Sequence, residues 1–267
     1  MLQKFGINLP PIAYPVFALF IVSLIIKAPK IGRVFRALKQ KSFMKNPKGS
    51  DISPEEIKKM SVGAIFCDQQ GCFIDSLTTG KNRYDADVVL KNNWEIFDKD
   101  TAVTTLEKLK NEGNRSYYNF IMNLVTREDS SKWEQIVVDY YKEPAEIQKA
   151  FEFLGNLQNT REELIQKYKI GDLDYQNGIA AWDMGRLTVI ARLCYDKGYI
   201  EREQALGYVY FAYDTCKEFY NSWEELAHGY LLGRAMWGGL EYSFEAVGLI
   251  AEKCLTNENS PWATLKF

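Results

Sequence analysis

The chain has 267 residues, 46% of them apolar and 25% charged, which is typical of a globular protein and excludes a disordered or fibrous one. Nine of the 33 Lys and Arg residues, but no Asp or Glu, lie in residues 1–50, so residues 51–267 hold 24 basic and 35 acidic groups, a net charge of −11. This acidic body lacks the clustered cations that bind phosphates, which excludes nucleic acid as a partner. The single histidine excludes metal sites that need two imidazoles, and we expect no metal and no cofactor.

An uncharged segment near the N-terminus predicts a membrane span. Residues 9–26 contain no charged side chain, and a helix of that length would be about 27 Å long, slightly short of the ~30 Å hydrocarbon core. The basic residues from Lys27 to Lys48 would stay in the cytoplasm beside anionic lipid headgroups. We therefore expect residues 1–50 to form a single transmembrane anchor with a basic juxtamembrane segment, and residues 51–267 to form a cytoplasmic domain.

Two other interpretations of the same segment stay open. A cleaved signal peptide would need a basic region before the apolar run and a small-residue cleavage site, whereas only Lys4 precedes the run and Ala28-Pro29-Lys30 follows it. A buried core helix is the second alternative, because eighteen residues are at the low end of spanning length. The basic flank favours the membrane span over both.

Helix-start signals recur through the rest of the chain. Capping boxes, in which Ser or Thr is followed three residues later by Glu, begin at Ser53, Thr160 and Ser222. Pro144 would open a helix that ends near Gly155. We therefore predict an all-α fold, an irregular multi-helix bundle.

Residues 62–77 are the one segment where strands are plausible, and they would form at most a small β-hairpin around Gly71. The five cysteines are odd in number and irregularly spaced, so a disulfide framework is not expected.

A buried carboxylate is predicted in the segment that begins at residue 180. On a helical wheel, Asp183 lies in the middle of an apolar stripe with Ile179, Leu187 and Ile190. An unpaired buried carboxylate is costly, so Asp183 needs a cationic partner. Arg234, on a later helix, is the first choice.

The second choice of partner is Arg186, one turn along the same helix as Asp183. We favour a structural ion pair that joins two helices. The alternative is an enzyme site, in which Asp183, Arg186 and Arg234 act on a small anionic substrate. His228 falls on the opposite face from Trp237 and is expected to be exposed.

The residues that carry these signals form one candidate cluster: Trp182, Asp183, Arg186, Arg192, Trp223, Arg234 and Trp237. Their pattern reads Trp-Asp-Met-Gly-Arg at 182–186, Gly-Tyr-Ile at 198–200, Ser-Trp-Glu-Glu at 222–225 and Leu-Leu-Gly-Arg-Ala-Met-Trp at 231–237. It resembles the bacterial domain-of-unknown-function 1266 family over roughly residues 60–240.

The resemblance implies a mostly helical bacterial protein with no established reaction. In a bacterium the predicted span would lie in the inner membrane. Members of that family often have Gly-His where this chain has Gly113-Asn114, so no role of that histidine transfers. We expect a membrane-tethered interaction protein with an unidentified protein partner. An immunity or accessory component of a toxin or secretion system is one such role.

Overall fold

In a computed structural model of the protein, residues 42–267 are described, and they form helices and connecting loops without a β-strand. The α-helices are α1 (Pro54–Met60), α2 (Ala64–Gln70), α3 (Arg83–Trp94), α4 (Lys99–Asn111), α5 (Arg115–Arg127), α6 (Trp133–Tyr141), α7 (Pro144–Tyr168), α8 (Asp172–Asn177), α9 (Ala180–Asp196), α10 (Arg202–Phe219), α11 (Trp223–Gly238), α12 (Tyr242–Thr256) and α13 (Pro261–Thr264). The predicted all-α, multi-helix fold is confirmed.

The predicted membrane span at residues 9–26 lies outside the described residues. Within residues 42–267, no helix combines the length and the apolar character that crossing a bilayer requires.

Helix α9 is the centre of the fold. Every residue from Ala180 to Cys194 is buried, so this helix is covered on all sides rather than along one stripe. Helices α10, α11 and α4 pack around it, together with the 3₁₀ helix Ser61–Gly63. A helix that is covered on all sides lies in the core of its domain, and its buried charged residues need partners there. Each fully buried aliphatic side chain stabilises the folded state by about 1.5–3 kcal/mol. Helix α9 has several such side chains: Leu187, Val189, Ile190 and Leu193.

Two of the three predicted capping residues begin helices. At Ser53 the box is complete, because Ser53 Oγ accepts the Glu56 N–H and the Glu56 carboxylate accepts the Ser53 N–H. At Ser222 the hydroxyl accepts the N–H of Glu225 (3.1 Å), whereas the Glu225 carboxylate accepts the N–H of Asn221 instead.

The third predicted capping box, at Thr160, is wrong, and so is a helix end near Gly155. Both residues lie inside α7, where Thr160 Oγ1 donates to the carbonyl of Asn156 (2.7 Å). The physical reason is tertiary: Leu157 and Leu164 are buried on one face, and α7 packs against α11 along this part of its length. Burial of a continuous apolar face outweighs a local stop signal.

The small β-hairpin predicted within residues 62–77 is also wrong. These residues form the 3₁₀ helix Ser61–Gly63, then α2, then a loop that starts at Gly71, whose φ of 63° ends the helix. The loop carbonyls of Phe73, Ser76 and Leu77 accept hydrogen bonds from the guanidinium of Arg192. A side chain therefore satisfies the groups that a neighbouring strand would otherwise bind.

Candidate functional site

Asp183 lies in the first turn of α9 and is 0% exposed. Its carboxylate accepts the backbone N–H of Asn114 (2.9 Å) and that of Arg115 (2.8 Å), at the start of α5. The first N–H groups of a helix have no partner within the helix, so a carboxylate there acts as a cap. Asp183 therefore caps a helix from which it is separated by almost 70 residues in sequence.

Two arginines complete the surroundings of this carboxylate. Arg186 Nη2 donates to Asp183 Oδ1 (2.5 Å), and Arg115 Nη1 donates to Oδ2 (3.3 Å). Arg115 also donates to the carbonyls of Leu109 and Lys110 at the end of α4. Burial lowers the pKa of Arg186, and the negative charge of Asp183 opposes that effect. The cluster thus joins α4, α5 and α9 in one buried network.

Arg186 is enclosed by aromatic rings as well as by its partner carboxylate. Its guanidinium carbon lies 4.3 Å from the centre of the Trp182 ring and 5.5 Å from that of the Trp94 ring. These contacts are favourable cation–π interactions, and they hold the charge out of water. Asp183 and Arg186 are therefore sealed rather than presented to a substrate.

The predicted ion pair between Asp183 and Arg234 is wrong. Arg234 Nη2 donates to Ser243 Oγ (2.7 Å), and its guanidinium carbon lies 5.0 Å from the centre of the Trp237 ring. The reason is the preceding residue, Gly233. Because it has no side chain, α11 lies close to α9 at this point, and a Cβ at Gly233 would be 2.3 Å from Trp182 Cβ. With Gly233 against α9, the next side chain is turned by about 100° toward α12.

The aromatic rings of Trp182 and Trp237 form a chain of contacts between the two arginines. The centres of these rings are 6.0 Å apart, with Arg186 against Trp182 and Arg234 against Trp237. Trp182 is buried, whereas Trp237 is 48% exposed. The candidate cluster is thus divided into a sealed part around Asp183 and a second part around Arg234, of which Trp237 is accessible.

Arg234 and Trp237 open onto a cavity of about 350 Å³ between α7 and α11. The other lining residues are Lys149, Glu152, Phe153, Gly238 and Glu241. Neither Asp183 nor Arg186 reaches this cavity, so the three residues of the predicted enzyme site do not converge on one open pocket.

Arg192 is buried and binds the loop after α2 rather than any other member of the candidate cluster. Its Nη1 also lies 3.4 Å from Cys67 Sγ. A hydrogen bond from Cys72, together with the charge of Arg192, lowers the pKa of Cys67 to about 7 against the effect of burial. The role of Arg192 is to hold the loop on α9.

We expect Arg192→Met to destabilise the protein by about 3 kcal/mol or more, because three loop carbonyls, two of them in buried hydrogen bonds, lose their donor. Urea unfolding of the purified full chain measures the change. Arg127→Met, at an exposed position at the end of α5, is the control and is expected to leave the midpoint unchanged. Equal midpoints for the two variants would show that the loop does not depend on Arg192.

Trp223 and His228 lie apart from the sealed cluster. Trp223 stacks on Trp262, with ring centres 5.2 Å apart, and its Nε1 donates to the carbonyl of Leu265.

The expectation that His228 is exposed is wrong: its side chain is half-buried, and Nδ1 lies 2.9 Å from Asp174 Oδ1. Among residues 42–267, no group of three His, Cys, Asp or Glu side chains is arranged to hold a metal ion.

Four residues of the site are not predicted as its members from the sequence: Trp94, Gly113, Arg115 and Lys149. The family resemblance singles out the turn at Gly113-Asn114, but no local pattern connects that turn with Asp183. Gly113 has a φ of 60°, and a Cβ there would lie 2.2 Å from Asp183 Oδ2. The close approach of the turn to the carboxylate therefore requires glycine.

Taken together, the fold and the cluster define an all-helical protein in which a buried ion network fixes the central helix. A family model described as "Protein of unknown function (DUF1266)" matches residues 89–267, and the chain belongs to that family. The match starts later and ends later than the resemblance suggested, and it includes every member of the candidate cluster. Comparison with curated proteins and with solved structures gives no match.

Proposed function

We propose that this chain is a membrane-tethered helical domain that binds a protein partner, and that its Asp183 cluster is structural. The observation that carries the structural assignment is that donors fill the hydrogen-bonding capacity of the Asp183 carboxylate. This carboxylate has room for about four donors and receives four: two backbone N–H groups and two guanidinium N–H groups. A carboxylate so occupied has no free lone pair for acid–base work, and it has no solvent access.

The enzyme alternative loses its support from the same geometry. It required Asp183, Arg186 and Arg234 around one substrate, but the first two are sealed and the third opens onto a separate cavity. With the most distinctive buried charges committed to holding helices together, the surface of the domain is where function is to be sought.

The tether is supported by the sequence of residues 1–50. An uncharged run of eighteen residues followed by a purely basic stretch suits one span with the body in the cytoplasm. In a bacterium this would be the inner membrane. The role of an immunity or accessory component of a toxin or secretion system stays a prediction.

Topology provides the test of the tether. We expect the full chain to stay with membranes after alkaline carbonate extraction, and a reporter fused after Phe267 to behave as cytoplasmic. Leu19→Arg would place a charge near the middle of the span at a cost of about 2.5–3.5 kcal/mol. That variant should shift protein to the soluble fraction, whereas the control Leu19→Ala should not.

A periplasmic signal from the fusion would overturn the orientation, and quantitative extraction of the unaltered chain by carbonate would overturn the tether. Site-specific photo-crosslinking from the surface of residues 51–267 in intact cells then tests the partner. One discrete, saturable adduct supports a protein-binding role, and the absence of any adduct across the whole surface contradicts it.

A further inference from the structure

We propose that the cavity between α7 and α11 binds a small organic anion that carries a flat apolar group. The negative group would contact Arg234 and Lys149, and the flat group would lie against the ring of Trp237. This inference is independent of the proposed membrane tether and protein partner, since it concerns a different part of the domain.

Arg234 is a buried cation without a salt bridge. It is 5% exposed, and it forms no ion pair with any carboxylate in residues 42–267. Its Nη2 is satisfied by Ser243, but Nη1 is buried with no hydrogen-bond partner in the described part of the chain. Burial lowers the pKa of Arg234, and the negative charge of Glu241, together with Tyr230, opposes that effect. Proteins rarely bury an unpaired charge, because the cost in free energy is high.

Two further unsatisfied donors belong to residues that are next to Trp237 and Arg234 but do not themselves line the cavity. Tyr230 Oη and Trp182 Nε1 are both buried without a partner among the described residues. Their rings are in edge-to-face contact, with centres 5.1 Å apart. Burial raises the pKa of Tyr230, and the positive charges of Arg186 and Arg234 oppose that effect. Buried donors are normally satisfied, and of these three only Arg234 Nη1 belongs to a residue of the cavity lining, so it is the donor that an acceptor in the cavity would satisfy.

Lys149 supplies a second cation to the cavity. It forms no ion pair with a described carboxylate, and its Nζ lies 4.6 Å from the centre of the Tyr117 ring and 5.3 Å from that of Phe153. Burial lowers the pKa of Lys149, the positive charges of Lys108 and Arg186 lower it further, and the carboxylates of Asp183 and Glu146 oppose this. A negative group in the cavity would favour the charged form of Lys149.

The remaining lining residues narrow the class of ligand. Glu152 and Glu241 are exposed residues of the cavity lining, and together they cancel the formal charge of the two cations. These carboxylates would repel a polyphosphate much more strongly than a ligand with one negative group, because the repulsion grows with the charge of the ligand. The half-exposed Trp237 offers a flat apolar surface for the rest of the ligand. A volume of about 350 Å³ is in the range of sites for small molecules.

The test uses the purified full chain and naphthalene-2-sulfonate, a flat monoanion, as the probe in isothermal titration calorimetry. We expect saturable binding at one site. Naphthalene-2-methanol, which keeps the flat group without the charge, and inorganic sulfate, which keeps the charge without the flat group, should each bind roughly 10- to 100-fold more weakly. Equal binding of the neutral analogue, or no binding of the probe, would overturn the proposal.

A pair of glycine variants tests the location of the site without removing a buried charge. A Cβ at Gly238 would lie 2.7 Å from Arg234 Nη1. Gly238→Ala should therefore displace the guanidinium and lower the affinity for the probe roughly 10-fold or more. Gly207→Ala, in α10 with open space around its Cβ, is the matched control and should bind as the unaltered chain does. Arg234→Gln should abolish binding. If Gly238→Ala binds the probe with unchanged affinity, the site is not at Arg234.

Discussion

Replacing Asp183 with Asn is expected to lower the free energy of unfolding by about 3–5 kcal/mol, which is a large part of the ~5–15 kcal/mol of an ordinary domain. Asn keeps one acceptor but no charge, so Arg186 would remain buried without its counter-charge. One of the two N–H groups at the start of α5 would also face an amide NH₂ or lose its acceptor. Urea unfolding of the full chain measures the effect.

Further variants show whether the loss of stability comes from leaving the charge of Arg186 unpaired or from removing any carboxylate. Asp172→Asn removes a carboxylate whose side chain is 80% exposed, and we expect little change in stability. Adding Arg186→Met to Asp183→Asn should restore part of the loss, because the orphaned charge disappears with its partner. Adding Arg234→Met should be additive within about 0.5 kcal/mol, since the two side chains do not touch. Strong coupling between Asp183 and Arg234 would contradict the observed separation of the two sites.

Replacing Gly113 with Ala is expected to destabilise the protein by about 3 kcal/mol or more, from two causes. The φ of 60° is unfavourable for a residue with a Cβ, at a cost of about 1–2 kcal/mol. The new methyl group would also lie 2.2 Å from Asp183 Oδ2 and 2.4 Å from Cγ. Neither atom can move freely, because both belong to the carboxylate that caps α5. Either the cap must break or the turn must move.

Gly198→Ala provides the control that separates these two causes. Its φ of 71° is similar, but a Cβ at Gly198 would meet nothing within 4 Å. This variant should therefore lose only the backbone contribution, about 1–2 kcal/mol. Thermal unfolding of both variants gives the comparison. If the two melting temperatures fall equally, the approach of Gly113 to Asp183 has no energetic weight.

The need for a partner at Asp183 could be predicted from the sequence, because helical periodicity alone places this carboxylate among apolar side chains. Arg186 could be named as a candidate for the same reason, since it lies one turn away. Arg115 and the N–H of Asn114 could not, because they come from a turn almost 70 residues earlier in the chain. A periodic pattern shows which face of a helix is buried, but not which distant segment covers it.

The errors elsewhere have related physical causes. The choice of Arg234 assumed that α11 presents this side chain to α9, whereas contact of Gly233 with Trp182 sets a different rotation. At Thr160, continuous packing of α7 on its neighbours outweighs a local capping pattern. In each case the local sequence pattern is present, but a tertiary contact determines a different structure.

The cap that Asp183 places on α5 has a consequence during synthesis. Asn114 leaves the ribosome 69 residues before Asp183 does, and at about 5–20 residues per second that interval lasts roughly 3–14 s. Throughout it, the turn between α4 and α5 lacks the carboxylate that completes it, and α4 lacks α9 and α10, against which it packs, whereas α5 can already pack on α6 and α7. The first half of the domain must therefore wait, with apolar surface accessible, for the second half to arrive. This interval is when a nascent chain of this protein would depend most on molecular chaperones.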